Sequence, residues 1–99
     1  MLIYLLRQDQ TDNYKIGITR DLESRLKNLQ TGCPNKIEVI STFKSKYARN
    51  LEGFFHRIWK HHKINGEWFY LIENERPDFM SLCEKLHNNL KILNEFQNK

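Results

Sequence analysis

Five side chains between residues 4 and 56 carry groups that could bind an anion, move a proton or hold a metal. They are a phenol, an ammonium, a guanidinium, a carboxylate and an imidazole, on Tyr4, Lys15, Arg25, Glu52 and His56. A guanidinium is planar and can donate to two phosphate oxygens at once. Because Glu52 and His56 are four residues apart, a helix would place them on one side. A carboxylate such as Glu52 can hold a hard cation like Mg²⁺, which usually keeps several of its waters.

Each of these residues also has an ordinary structural explanation. A tyrosine in an apolar strand, such as Tyr4, often belongs to the core, and a strand lysine such as Lys15 is usually solvated. Glu52 could form a salt bridge with Arg49 or another basic residue, and His56 could be a packing or surface histidine. Residue types alone leave these alternatives open.

Tyr4 and Lys15 lie in two short apolar segments, residues 2–6 and 14–18, on either side of a polar stretch. Two such segments around turn-forming residues predict a β-hairpin. Side chains alternate between the two faces of a strand, so Tyr4 and Lys15 share a face if the pairing register allows it. Tyr14 then points to the opposite face.

The segment after the hairpin predicts a helix that carries Arg25. Thr19 can cap this helix, and acidic residues in the first turn complement the helix dipole. Leu22, Leu26 and Leu29 recur at helical spacing, which predicts a buried stripe. Arg25 lies on the edge of that stripe, from which it can reach back toward the hairpin.

A third strand and a second helix follow. Residues 36–43 are rich in β-branched side chains and predict a strand with Ile37, Val39 and Phe43 on one side. The helical period returns over residues 46–62. Glu52 and His56 lie within this second helix.

The last third of the chain predicts one more strand and one more helix. An aromatic segment at residues 67–72 looks extended, with Trp68 and Phe69 expected in the core. Glu67, in the same segment, could orient a ligand or cap the strand. Pro77 suits a helix start, and an apolar stripe continues to about residue 95.

The final helix carries Leu86 and Leu90 on its apolar stripe, so both are expected in the core, and His87 is expected at the surface. The element order β-β-α-β-α-β-α predicts an α/β fold of the α+β type. Its small, largely antiparallel sheet would have three or four strands flanked by helices. One domain is expected to fill residues 1–99.

The composition suits a small globular protein with a polyanionic partner. Sixteen basic against twelve acidic residues give a formal charge of +4 and a pI near 9.2, and Lys or Arg binding to phosphate releases counterions. A hydrophobic fraction of 39% argues against disorder. Cys33 and Cys83 form no metal-spaced pair, and the apolar N-terminus is too short for a signal peptide. A cytoplasmic location is therefore expected.

Several short motifs occur in the order found in the GIY-YIG nuclease superfamily. Ile3-Tyr4-Leu5, then YKIG at residues 14–17, then Arg25 on the first helix, resemble its signature. LExxxH at residues 51–56 and GEWF at residues 66–69 are similar to a branch common in phages and bacterial mobile elements. The resemblance covers residues 2–72. Lys15 stands where the broad superfamily has its second signature tyrosine, although this branch commonly has lysine there.

The resemblance implies an endonuclease that hydrolyses phosphodiester bonds in DNA with Mg²⁺ or Mn²⁺. Such cleavage needs an activated water, a cation for the developing charge, and alignment of both. By this resemblance Tyr4 would activate water, and Lys15 and Arg25 would stabilise the phosphate. Glu52 would hold the metal, and His56 would assist by relaying a proton or contacting the phosphate.

Four further basic residues are candidates for binding the DNA backbone: Arg20, Lys27, Arg49 and Lys60. A solvated amphipathic surface would have the same composition, and RNA is an alternative partner. No recognition helix or zinc finger is visible in the sequence, so sequence specificity has no obvious source. The alternative function is a catalytically inactive nucleic-acid-binding module on the same fold. A protein-interaction adaptor is a third possibility.

Overall fold

The computed structural model describes residues 1–66, 68–76 and 78–97, and their elements follow the predicted order with one strand added. The strands are β1 Leu2–Gln8, β2 Asn13–Thr19, β3 Ile37–Lys44, β4 Lys63–Asn65 and β5 Trp68–Tyr70. The helices are α1 Leu22–Thr31, α2 Ala48–Ile58 and α3 Phe79–Gln97, with short 3₁₀ turns at Lys60–His62 and Glu73–Glu75. Pro77, the predicted start of the last helix, lies outside the described residues.

Within the described residues, the five strands form one sheet in the order β3-β1-β2-β5-β4. Every pairing in it is antiparallel. The predicted fold class, a small antiparallel sheet flanked by helices, is therefore confirmed. The sheet has five strands, whereas three or four were expected, and β4 is the strand that the sequence did not predict. That strand has three residues, which is too short for a periodic pattern to show in the sequence.

The pairing register assigns each strand residue to one of two faces of the sheet, and different helices pack on the two faces. In the β1–β2 hairpin, Tyr4 lies opposite Gly17 and Leu6 lies opposite Lys15, so these four residues share one face. This face, called the Tyr4 face below, is covered by the leucines of α1. The opposite face packs against α2 and α3 and includes Tyr14. The register thus places Tyr4 and Lys15 together and Tyr14 on the other side, as the alternation predicts.

The predicted alternation of β3 is wrong. Ile37 packs on the Tyr4 face, whereas Phe43 packs against the opposite core. The cause is a bulge, because the register between β1 and β3 shifts between Leu5 and Leu6 and leaves Ile40 as an extra residue in β3. One extra residue reverses the facing of every side chain beyond it.

The predicted cap of the first helix is also wrong. Thr19 is the last residue of β2, and Asp21 caps α1 by accepting the Ser24 backbone N–H at 3.1 Å. The Thr19 hydroxyl accepts the Asp21 backbone N–H instead, at 3.1 Å. Strand pairing extends through Thr19, opposite Leu2, so this residue is not available as a cap. The Asp21 cap fixes the start of α1 and with it the position of Arg25.

Helices α2 and α3 fill the core on the face opposite Tyr4. Leu51, Phe55 and Trp59 of the α2 region are buried there, together with Phe79 and Cys83 of α3. Two of these side chains pack against the ring of Phe55, whose centroid lies 5.2 Å from that of Trp59 and 5.1 Å from that of Phe79. Aromatic contacts of this kind make α2 the central support of the sheet.

Helix α3 is packed at its start and becomes exposed toward its end. Leu86 and Leu90 are only partly buried against the core, and Leu93 is 58% exposed. The expectation that His87 lies at the surface is wrong. His87 is half-buried, and its Nδ1 lies 2.7 Å from the Ser45 hydroxyl oxygen. Across the described residues, no helix has the length and apolar character needed to cross a membrane.

Candidate active site

The hydroxyl of Tyr4 lies against the backbone of Gly17. Tyr4 is directly opposite Gly17 across the β1–β2 pair, and its side chain is 1% exposed. A Cβ atom added at residue 17 would overlap the phenol oxygen of Tyr4 and the ring carbon attached to it. The absence of a side chain at Gly17 therefore creates the space in which the hydroxyl lies.

Arg25 contacts the same hydroxyl from α1. Its Nε–H donates to the Tyr4 oxygen at 3.3 Å, and the residue is half-buried. Leu22 and Leu26, which flank Arg25 on α1, pack onto the Tyr4 face. A residue on the edge of that stripe is consequently close enough to reach the strand. Tyr4 and Arg25 thus meet at a single oxygen atom.

Lys15 is a buried lysine beside an aromatic ring on the same face. Its side chain is 5% exposed, and its Nζ lies 5.6 Å from the centroid of the Trp68 ring. The two residues are direct partners across the β2–β5 pair. Attraction between an ammonium and an aromatic ring offsets part of the cost of removing the charge from water. The alternative of a solvated strand lysine is therefore wrong for Lys15.

Glu52 and His56 come from α2, which covers the opposite face. The Nε2–H of His56 donates to the Ile16 backbone carbonyl at 3.2 Å. The pairing of β2 with β5 runs from Asn13 to Lys15, so this carbonyl lies just past its end, on the edge of β2. Glu52 is half-buried and lies one helical turn before His56 on the same side of α2. This side of α2 therefore approaches the Gly17 backbone from the strand edge.

Tyr4, Lys15 and Arg25 thus share the Tyr4 face, and His56 contacts the adjoining strand edge. A family model described as the T5orf172 domain matches residues 1–84, a range that contains all of these residues. The chain belongs to the T5orf172 domain family. This phage-associated family is related to nuclease and homing-endonuclease-like folds, and membership indicates a nucleic-acid-related function. No curated protein and no solved structure matches the chain.

Glu52 is the candidate metal ligand of this T5orf172 domain. The described part of the chain contains no group of three or more His, Cys, Asp or Glu side chains placed to hold one ion. Such a group is typical of zinc sites. Mg²⁺ is held differently, through one or two carboxylates together with waters and substrate phosphates. Glu52 suits this second kind of site, and Glu67 lies outside the described residues.

The four residues predicted to bind the DNA backbone are exposed, and two of them line one pocket. Arg20 and Arg49 line the same shallow pocket beside the first residue of the domain. Lys27 forms an ion pair of 3.9 Å within α1, and Lys60 belongs to the 3₁₀ turn after α2. The structure brings Arg20 and Arg49 together at this pocket, and its described lining does not include Lys27 or Lys60.

Trp68 is the site residue that sequence reasoning missed, since both Trp68 and Phe69 were expected in the core. Adjacent strand residues point to opposite faces, so the two side chains could not enter the same core. Phe69 packs with Tyr14 on the α2 side, and Trp68 lies on the Tyr4 face. Strand alternation was thus the signal that could have separated Trp68 from Phe69, although it does not identify Lys15 as the neighbour of Trp68.

Proposed function

We propose that this T5orf172 domain is an endonuclease of the GIY-YIG type that hydrolyses phosphodiester bonds in DNA with a divalent metal. The observation that carries the proposal is the buried Tyr4 hydroxyl, which lies over Gly17 and accepts the Arg25 Nε–H at 3.3 Å. A second basic residue, Lys15, is buried on the same face. Burying a cationic group costs free energy, and stabilising the negative charge of a phosphate gives that cost a function.

The residues of the Tyr4 face can divide the work of phosphodiester cleavage among them. The Tyr4 oxygen already accepts one hydrogen bond from Arg25, and a phenol oxygen can accept another from the attacking water. In this proposal Tyr4 activates that water, and Arg25 and Lys15 stabilise the negative charge that develops on the phosphate. Arg25 also holds the Tyr4 hydroxyl in place, which contributes to alignment.

Glu52 is the proposed ligand of Mg²⁺ or Mn²⁺ in this site. The bound ion would supply Lewis-acid stabilisation of a phosphate oxygen. His56 assists in a different way, because its Nε2–H is already donated to the Ile16 carbonyl. We therefore assign His56 the task of holding the β2 backbone beside Gly17.

The test is nicking of supercoiled plasmid by the purified domain with Mg²⁺ or Mn²⁺, and its loss with EDTA. Tyr4→Phe keeps the ring and removes the hydroxyl, so cleavage is expected to fall by orders of magnitude. Stability should change by at most about 1 kcal/mol, the contribution of one hydrogen bond. Tyr14→Phe is the matched control, since Tyr14 is equally a buried tyrosine of the hairpin but lies on the opposite face.

Three results separate the proposed nuclease from the alternatives. Full cleavage by Tyr4→Phe would show that the hydroxyl takes no part in the reaction. Equal losses in Tyr4→Phe and Tyr14→Phe would point to general damage to the hairpin. Salt-dependent DNA binding without cleavage under any divalent metal would favour the nucleic-acid-binding module.

A further inference from the structure

Four basic side chains converge at the end of the sheet where β1 begins and where β2 and β3 end. They are Arg20, Lys44, Lys46 and Arg49, all exposed, and we call them the basic end patch. Arg20, Lys46 and Arg49 line one pocket with Met1. Arg20 and Lys44 line an adjoining pocket with Met1 and Leu2.

Acidic side chains do not interrupt the basic end patch. Neither pocket has an Asp or Glu among its described lining residues. The acidic residue next to Arg20 in the chain is Asp21, and its carboxylate accepts the Ser24 backbone N–H as the cap of α1. The first turn of α2 contains no acidic residue either. The patch therefore presents a concentrated positive charge, which suits a polyanion.

The patch continues directly from the Tyr4 face. Lys44 is paired with Leu2 and Thr42 is paired with Tyr4, so Lys44 points to the same side of the sheet as Tyr4. The two pairs are two positions apart along the strand, which corresponds to about 7 Å. A nucleic-acid strand rises about 3.4 Å per nucleotide, so roughly two nucleotides would span that distance.

The other end of the Tyr4 face is closed. Leu6 is fully buried and Ile37 nearly so, and both pack under the leucines of α1. The Leu2 end of the sheet, where the basic end patch lies, is therefore the end of the Tyr4 face that these side chains do not close. Lys27 and Lys60 line neither of the two pockets.

We propose that the substrate strand runs over the Leu2 end of the sheet and that the basic end patch binds the phosphates next to the one at Tyr4. This inference rests on the proposed nuclease function, and it names the direction from which the DNA enters. It adds Lys44 and Lys46 to the DNA-binding residues and removes Lys27 and Lys60 from them.

The test compares two double variants with the same loss of charge. Arg20→Gln with Lys44→Gln removes two charges from the patch, and Lys27→Gln with Lys60→Gln removes two exposed charges elsewhere. Binding of a short fluorescent DNA duplex is measured in EDTA over a series of salt concentrations, so that the DNA stays intact. Each phosphate contact contributes about 0.9 to the slope of log K against log salt. The patch variant is therefore expected to lower that slope by about 1.8, while the control variant keeps the wild-type slope.

Equal changes of slope in the two double variants would overturn the proposed path, because they would show attraction by net charge alone. The nuclease function is tested independently, by plasmid cleavage with the wild-type protein. The proposed path can therefore be wrong while the nuclease function is correct. A wild-type protein that neither binds nor cuts DNA would overturn both. Since all four substituted residues are exposed, unchanged thermal melting of each double variant confirms that the fold is intact.

Discussion

At the scale of single residues, the site depends on the absence of a Cβ atom at Gly17. Gly17→Ala places a Cβ where the Tyr4 phenol oxygen lies, so the hydroxyl must move out of reach of its present contacts. We expect cleavage to be lost and stability to fall by about 1–3 kcal/mol, the usual cost of overpacking. Plasmid nicking and urea unfolding measure the two effects.

Gly53→Ala is the control for this substitution. A Cβ at Gly53 would meet Arg57 Nη1 at 3.5 Å, which is ordinary contact. Because Gly53 lies inside α2, alanine there should raise stability by up to about 1 kcal/mol. Wild-type cleavage by Gly17→Ala would contradict the assignment of the Tyr4 hydroxyl.

Arg25 allows a second test at the same scale. Arg25→Lys keeps the charge but removes the Nε–H that donates to Tyr4 and the planar pair of donors for phosphate. If Arg25 acts in the transition state, the cleavage rate should fall on the order of a hundredfold with little change in DNA affinity. Single-turnover cleavage and binding curves separate the two quantities. Equal losses of rate and affinity would make Arg25 a contact to the bound substrate.

At the scale of elements, local patterns predicted the hairpin and the helices because their causes are local. Alternation and a polar turn identify β1 and β2, and their register then follows from which face is buried. The bulge at Ile40 has no such local cause, since it arises only when β3 pairs with β1. The same limit applies to Trp68, whose neighbour Lys15 comes from a distant part of the sequence.

The parts of the candidate site that could be predicted are those that strand alternation and helical spacing place. Tyr4 and Lys15 share a face because strand alternation dictates it, and Arg25 reaches Tyr4 from the edge of a leucine stripe. The contact of His56 with the Ile16 carbonyl could not be foreseen. It depends on where the pairing of β2 with β5 ends, and no pattern in the sequence marks that point.

Helix α3 provides a prediction about packing. Leu90 is partly buried against the core, so Leu90→Ala should cost stability at the lower end of the about 2–5 kcal/mol typical of buried leucines. Leu93→Ala, at a position that is 58% exposed, should change stability by less than about 0.5 kcal/mol. Urea unfolding measures both. Equal effects at the two positions would mean that α3 does not pack against the core at Leu90.

At the scale of the whole molecule, the buried thiol of Cys83 links stability to pH. Burial raises the pKa of Cys83 from 9.0 to about 12. Above pH 9 the unfolded chain loses this proton while the folded protein keeps it, so unfolding is favoured as the pH rises toward 12. The contribution of the buried thiol is complete below pH 9. We expect the free energy of unfolding to fall by up to about 1.4 kcal/mol per pH unit within that window.

Other groups also titrate at alkaline pH, so the measurement needs a comparison between variants. Urea unfolding is followed from pH 8 to pH 11 for the wild type, Cys83→Ala and Cys33→Ala. Cys83→Ala should show a shallower fall of stability with pH, and Cys33→Ala, at a half-buried position, should follow the wild type. Parallel curves for all three proteins would show that Cys83 does not contribute to the pH dependence.

Tyr4, Lys15 and Arg25 come from a short stretch of chain, and this has a consequence for the activity of destabilised variants. Tyr4 meets Gly17 and Arg25 within a hairpin and the helix that follows it, so forming these contacts closes only small loops. Docking of α3 joins distant parts of the chain and is not needed to bring those side chains together. A variant weakened at Leu90 should therefore have fewer folded molecules, while each folded molecule cleaves DNA at the wild-type rate.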